Sequence, residues 1–329
     1  MLRMILALAI MMWSGASFAA DPMPHLTGIT AIHDPSVIVT DTGWASFATG
    51  VEGASDGGMP RTKTSPDGID WQETGAIPGG LPAWIATELG YKPKNIWAPS
   101  ISTEGGVAYL YYSASSFGRN DSAIGLMTNP TFDTSKPSEG WTDQGLVLRS
   151  HAGDNFNAID PFRINSAGKA YLAFGSFWDG IRLVALDPKT GKRSNDSPPV
   201  RIASRGGGAI EAPALLEHEG KFYLFVSFDA CCRGTSSTYN IRVGRSDQVE
   251  GPYLDRDGKA LTDGGGTLLL AGQSPYRGPG GQEVFMVAAK PWLAFHYYDD
   301  RQGGAPRLQV APLGWSADGW PELGPLPAP

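Results

Sequence analysis

Asn157-Ala158-Ile159-Asp160-Pro161 decides the fold, because the pattern closing it recurs along the chain. His33-Asp34-Pro35, Trp97-Ala98-Pro99 and Glu211-Ala212-Pro213 are its counterparts. Each leads into residues of strand character. Val37 to Val39 follow the first, and Ser100-Ile101 with Val107 to Tyr112 the second. Tyr171 to Phe174 belong to the Ile159-Asp160-Pro161 copy, and Phe222 to Phe228 to the last. Successive prolines, at 35, 99, 161 and 213, lie 64, 62 and 52 residues apart. A fifth, poorer copy starts near Gly281-Gln282-Glu283 and runs through Val284 to Val287 and Trp292 to Tyr298. A period of this kind marks a repeat architecture.

Later turn signals fit the same unit. Ser65-Pro66-Asp67-Gly68 before Trp71 reads as a hairpin turn. Asp187-Pro188-Lys189-Thr190-Gly191 reads as another turn. The one stretch with helical character is about Leu81 to Leu89, between units. Glycine is 43 of 329 residues, and Trp, Tyr and Phe number 10, 11 and 13, while charged residues are 18%. Glycine at nearly twice the usual ~7% points to short strands and tight turns. It does not point to a helical bundle, a coiled coil or a disordered chain. The expected fold is all-β, a five-bladed β-propeller whose blades are four-stranded sheets. In a propeller the first strand of each blade lines the central channel, so matched positions meet in one ring. The repeat therefore gathers Asp34, Asp160, Glu211 and Trp97 at one mouth. Asp-Pro and Ala-Pro are also ordinary turn dipeptides. That reading suffices for a single copy, but not for three acids in matched slots.

Lys plus Arg is 26 against 33 Asp plus Glu, a net charge of −7. This argues against a nucleic-acid or anionic-membrane partner. Residues 1–20 open with Arg3, continue as an apolar run and end Ser17-Phe18-Ala19-Ala20. They read as a secretory signal peptide, removed to leave 21–329 as a single exported domain with no membrane segment. A retained anchor is the alternative, but the run is short for a ~20-residue span. The only cysteines, Cys231 and Cys232, are adjacent. Neighbouring Cα atoms sit ~3.8 Å apart, below the ~4.4–6.8 Å of ordinary disulfides. A bonded pair and two quiet thiols both stay open.

Two carboxyl groups flanking a glycosidic bond suffice for its hydrolysis. One protonates the leaving oxygen, and the other activates water or attacks carbon. A nearby like charge raises the acid's pKa so that it keeps its proton. Three acids in one ring supply acid, base and tuner, and Trp or Phe rings stack on sugar faces.

Several motifs in order resemble glycoside hydrolase family 43, and within it the endo-α-1,5-L-arabinanases. They are His33-Asp34-Pro35-Ser36, Trp97-Ala98-Pro99, Tyr109-Leu110-Tyr111-Tyr112-Ser113 and Ser122-Ala123-Ile124-Gly125-Leu126. Next come Asn157-Ala158-Ile159-Asp160-Pro161, Phe174-Gly175-Ser176-Phe177-Trp178 and Ile210-Glu211-Ala212-Pro213. Phe225-Val226-Ser227-Phe228-Asp229, Cys231-Cys232, Ser237-Thr238-Tyr239-Asn240-Ile241 and Phe295-His296-Tyr297-Tyr298-Asp299 complete the set. The resemblance implies Asp34 as general base, Glu211 as general acid, and Asp160 as the group that raises and orients the acid. It implies an inverting reaction, with carboxyls about 6.5–9.5 Å apart. Trp97 and Phe117 become sugar platforms, and His33, Asn157 and Ser176 partners of sugar hydroxyls. His296 resembles the residue that holds one hydrated ion, calcium, in the channel. A lone histidine suits calcium only if water completes the shell, and a core histidine is the alternative. No organic cofactor is implied. The implied partner is plant cell-wall arabinan or its oligosaccharides, taken by a monomer. An exo-acting arabinanase, an arabinofuranosidase or a β-xylosidase would keep the fold. A non-catalytic sugar-binding propeller would not need the matched acid and base.

Two positions depart from the pattern. Gly281 stands where His usually follows Gly278-Pro279-Gly280, and Ser100 where Asp usually follows Trp-Ala-Pro. Three other signals are set aside. Gly53-Ala54-Ser55-Asp56-Gly57 matches a nucleophile elbow but is followed by Gly-Met-Pro rather than a helix. Asp255-Arg256-Asp257-Gly258 lacks the remaining ligands of a calcium loop. Gly206-Gly207-Gly208 lacks phosphate-loop spacing, but could let the strand of Glu211 approach substrate.

Overall fold

A computed structural model describes residues 20–328. Apart from Ala20, the leader expected over 1–20 lies outside the described residues. Blade one holds β1 (Thr27–Gly28), β2 (Ser36–Thr40), β3 (Gly43–Ala48), β4 (Arg61–Ser65) and β5 (Asp70–Ala76). After α1 (Ala83–Leu89), blade two holds β6 (Ile96–Glu104), β7 (Val107–Ala114), β8 (Ser122–Asn129) and β9 (Thr142–Ser150). Blade three is β10 (Phe162–Ser166), β11 (Lys169–Phe174), β12 (Ile181–Leu186) and β13 (Val200–Ala203). Blade four is β14 (Ile210–His218), β15 (Lys221–Phe228), β16 (Asn240–Ser246) and β17 (Thr267–Ala271). Blade five is β18 (Tyr276–Val287), β19 (Lys290–Asp299), β20 (Ala305–Trp315) and β21 (Pro321–Leu323).

Within each blade consecutive strands pair antiparallel. Blade one departs from the expected four strands, since β1 adds to its outer edge, parallel to β5. The first strands touch in a closed cycle: β2 meets β6, β6 meets β10, β10 meets β14, β14 meets β18, and β18 returns to β2. The fold is a five-bladed β-propeller. The N-terminal segment seals it along blade five, where Leu308 N–H donates to Thr30 O at 2.8 Å and Met23 N–H to Pro325 O at 3.1 Å.

Blade-to-blade packing explains why the second strands read as unbroken apolar runs. Each is covered on both faces, so alternation disappears; Phe222 to Phe228 of β15 is buried throughout. The core therefore lies between sheets. Trp44 of blade one meets Phe285 and Trp292 of blade five edge to face, with Trp71 also against it. Tyr109 and Tyr111 of blade two pack with Leu172 and Phe174 of blade three.

Local signals behave as read. Ser65 Oγ accepts from Gly68 N–H at 2.9 Å, and Asp67 Oδ1 from Ile69 N–H at 2.8 Å, closing the β4–β5 hairpin. The helix read at Leu81 to Leu89 forms over Ala83–Leu89. It stops at Gly90, whose φ of 71° lets its N–H cap Ala86 O. Among the described residues, no helix is long and apolar enough to cross a membrane.

Candidate active site

Each repeat motif is a backbone device. In β14 the partner of Glu211 is Ser227, yet the partner of Ala214 is Phe225, so two residues oppose one. β6 does the same between Trp97 and Ser100, and β18 between Gly280 and Glu283. These are β-bulges, which re-aim side chains. The second residue of every motif is left-handed: φ is 53° at Asp34, 38° at Ala98, 56° at Asp160, 52° at Ala212 and 57° at Gly281. Four of these are not glycine. The following proline keeps each of those four out of the right-handed helical region.

The N–H of each left-handed residue is capped by the preceding blade. Ala98 donates to Thr49 Oγ1 at 2.9 Å, Asp160 to Ser113 Oγ at 2.9 Å and Gly281 to Ser227 Oγ at 3.0 Å. Asp34 donates to His296 Nδ1 at 3.1 Å. In blade three the matching second-strand position is Gly175, where φ is 133° and a Cβ would lie 2.5 Å from Gly180 O. No side chain fits there. The carboxylate of Asp160 takes over, its Oδ2 accepting from Ala212 N–H at 3.1 Å.

Three carboxyls thus share one mouth with different surroundings. Asp34 Oδ2 accepts from Thr49 Oγ1 at 2.6 Å and lies 2.8 Å from His33 Nδ1. Burial pushes this carboxyl up. The charge and hydrogen bond of His33, with His296 and Thr49, outweigh burial and hold it below the usual carboxylate range. His33 moves the opposite way: burial lowers it, but Asp34 raises it further. Glu211 is 9% exposed, accepting from Ser176 Oγ at 2.5 Å and from the Tyr239 hydroxyl. Burial, supported by the charge of Asp34, pushes it up to about 7 against the opposing pull of Ser176 and His33. Asp160 is also raised, by burial and then by Glu211 and Asp34. One carboxylate that stays charged and one carboxyl that keeps its proton face a common space. Acid–base chemistry near neutral pH needs that pairing.

That space is a cleft of about 1010 Å³. Asp34, Asp160, Glu211, His33, Trp97, Phe117, Asn157 and Ser176 all line it, as do Phe177 and Trp178. Phe117 stands at the rim, 88% exposed. Trp97 is steadied by its indole N–H on Asn95 Oδ1 at 3.0 Å. Asn157 is buried, with Nδ2 3.4 Å from Arg119 O. His296 does not reach the cleft. It is fully buried behind His33, ring stacked on ring at 4.0 Å. Ser100 Oγ donates to Glu283 at 3.1 Å, so the fifth blade supplies a buried carboxyl beside the position where the pattern expected an aspartate.

His33, Asp34 and His296 bring ligand atoms within 4.8 Å of one another, a spacing that could hold one metal ion. The ring nitrogens already face protein groups: Asp34 and the Tyr298 hydroxyl for each histidine. Gly281 packs tightly against them: a Cβ there would lie 2.8 Å from Asp34 Oδ1 and 2.7 Å from His296 Cε1, so no side chain fits. The set fits a single ion by its spacing, and Asp34 offers the oxygen ligand that a hard cation prefers. That crowding makes a prediction. Gly281→Ala should force Asp34 and His296 apart and cost about 1–3 kcal/mol for a side chain in the left-handed region. Paired measurements of kcat and Tm check this, and an unchanged kcat would show that Asp34 tolerates the displacement.

Sequence reasoning missed Thr49, Ser113, Tyr239, Ser227 and Tyr298 as members of the site. Four of the bulge caps (Thr49, Ser113, Ser227 and His296) stand at matched positions of the second strands. A repeat search carried one strand further would have found them. Cys231 and Cys232 line the cleft and are bonded to each other, with Cα atoms 3.8 Å apart. This resolves the alternative left open above.

The sequence matches Glycosyl hydrolases family 43 over residues 27–321. It is 42% identical over 291 residues to extracellular endo-α-(1→5)-L-arabinanase 1 of Bacillus subtilis strain 168, covering 88% of this chain and 87% of that protein. It is 35% identical over 305 residues to extracellular exo-α-(1→5)-L-arabinofuranosidase ArbA of Cellvibrio japonicus, covering 89% and 86%. The structure superposes on the endo-arabinanase of Bacillus licheniformis with a TM-score of 0.83 and 42% identity, covering 91% of this chain and 99% of that one.

Proposed function

This chain belongs to glycosyl hydrolases family 43, and from that premise we propose that it hydrolyses internal α-1,5-L-arabinofuranosidic bonds of arabinan with inversion. The observation that carries the reading is the convergence of Asp34, paired with His33, and the buried Glu211 on one aromatic-lined cleft, the first held low and the second held up. Glu211 gives its proton to the leaving glycosidic oxygen. Asp34 takes a proton from a water on the opposite face of the ring, and that water's oxygen bonds to the anomeric carbon as the C–O bond breaks. Asp160 orients the acid by anchoring the Ala212 amide next to it, and its nearby carboxyl disfavours a second charge. Trp97 and Phe117 stack on sugar faces, and Asn157 and Ser176 meet sugar hydroxyls, while His33, its ring nitrogens taken by Asp34 and Tyr298, positions the base instead.

Calcium is the ion we propose for the cluster of His33, Asp34 and His296, held as a hydrated ion. When bound it would supply positive charge next to the base. The chain is exported after removal of residues 1–20 and acts as a monomer. Its resemblance to a relative named extracellular supports export.

Endo action is favoured by the higher identity to the two endo-named Bacillus proteins than to the exo-named Cellvibrio protein. Product sizing on linear α-1,5-arabinan tests it. Mixed short oligosaccharides should appear early. A single small product from the first minutes would mean exo action. Turnover of xylan with none of arabinan would overturn the substrate.

A further inference from the structure

The turn between β15 and β16 joins Cys231 to Cys232 and walls the cleft with Ala230 and Arg233. Cys232 is solvent-exposed and sits at φ 64°, a conformation few non-glycine residues adopt. In that conformation its N–H donates to the Tyr298 hydroxyl at 2.8 Å. The same hydroxyl meets His33 Nε2 at 2.9 Å, and His33 Nδ1 lies 2.8 Å from Asp34 Oδ2. Cys232 Sγ itself stands 3.7 Å from His33 Nε2. A continuous line of polar contacts runs from the cysteine pair to the residue assigned as base.

We propose that the Cys231–Cys232 bond is a redox-responsive positioning element for hydrolysis. Closed, it keeps the Cys232 amide on Tyr298, Tyr298 on His33, and His33 against Asp34. Opened, it frees Cys232 to leave the left-handed region, which withdraws one support of Tyr298 and loosens the base. The opening reaction is thiol–disulfide exchange with a dithiol. The dithiol's thiolate attacks one cysteine sulfur and breaks the Sγ–Sγ bond. Its second thiol then closes the reagent's own disulfide. Two electrons and two protons pass to Cys231 and Cys232, which become thiols. The exposure of Cys232 gives the reagent access. A chain that works outside a reducing cytosol keeps the bond, so hydrolysis is fully enabled only after export.

The inference rests on Asp34 as base, and the test separates the two. Turnover of linear arabinan is measured for oxidised protein, for protein treated with dithiothreitol, and after reoxidation. The same series is run on Tyr298→Phe, with Tm recorded throughout. Reduction should lower kcat about 5- to 10-fold, the scale of one lost hydrogen bond. KM should change little, and reoxidation should restore kcat. Tyr298→Phe should start low and no longer respond to reductant, because the relay hydroxyl is gone. A merely structural bond would instead lower Tm and kcat in both proteins alike. Equal kcat in oxidised and reduced wild type, or a Tyr298→Phe protein that still responds, overturns the inference and leaves the arabinanase reading intact. Oxidised wild type without turnover overturns both.

Discussion

Glu211→Gln is expected to lower kcat on linear α-1,5-arabinan by about 10²- to 10⁴-fold, the usual worth of a general acid. The amide keeps the shape of the side chain and can still meet Ser176 and Tyr239. It has no proton to give. Oligosaccharide affinity should therefore change little while turnover collapses. The pH profile carries a second signature. The folded-state value of Glu211 is raised to about 7, so wild-type activity is full below that pH and falls as pH rises through it. Asp34 is held low, so its own limb lies at the acid end, below the ordinary ~3.9. The optimum therefore falls on the acid side of neutrality. In Glu211→Gln the limb near 7 should vanish from whatever activity remains. Wild-type-like turnover, or a residual profile with that limb intact, would remove Glu211 from the role of acid.

Asp34→Asn should be as damaging, for a different reason. The water loses its proton acceptor, and kcat should fall by about 10²- to 10⁴-fold. The two variants differ in their residual pH dependence. The charge of Asp34 is one of the causes holding Glu211 up. Without it the alkaline limb should persist but move below pH 7. A residual limb that stays in place or moves upward would mean that Glu211 does not feel the charge of Asp34. Sizing kcat across pH for both variants on one substrate settles the two roles together.

The fold was legible because a propeller repeats, and the repeat unit includes its own start signal. Prolines at 35, 99, 161 and 213 each follow the left-handed residue of one blade and so mark four blades directly. The fifth lacks proline, and Gly281 instead supplies the left-handed residue, which is why that copy read poorly. The acids were legible for the same reason. Thr49 and Tyr298 were not, since hydroxyls on strands are common and only the register of neighbouring strands shows which ones face a bulge. The parallel strand β1 was hidden by its length, Thr27–Gly28 alone. His296 was recognised as belonging to the site, but its depth, one ring behind His33, could only come from packing.

The bulge caps pass in one rotational sense, from each blade to the next, and Asp160 is one link of that circle while Glu211 is not. This sets an order in which a lineage can abandon catalysis. A descendant drifting toward mere sugar binding can replace Glu211 and leave every blade docked. Replacing Asp160 orphans the Ala212 amide, and Gly175 has no room to evolve a substitute. A non-hydrolytic offshoot of this chain should therefore lose its acid first and keep Asp160 as a relic of assembly rather than of chemistry.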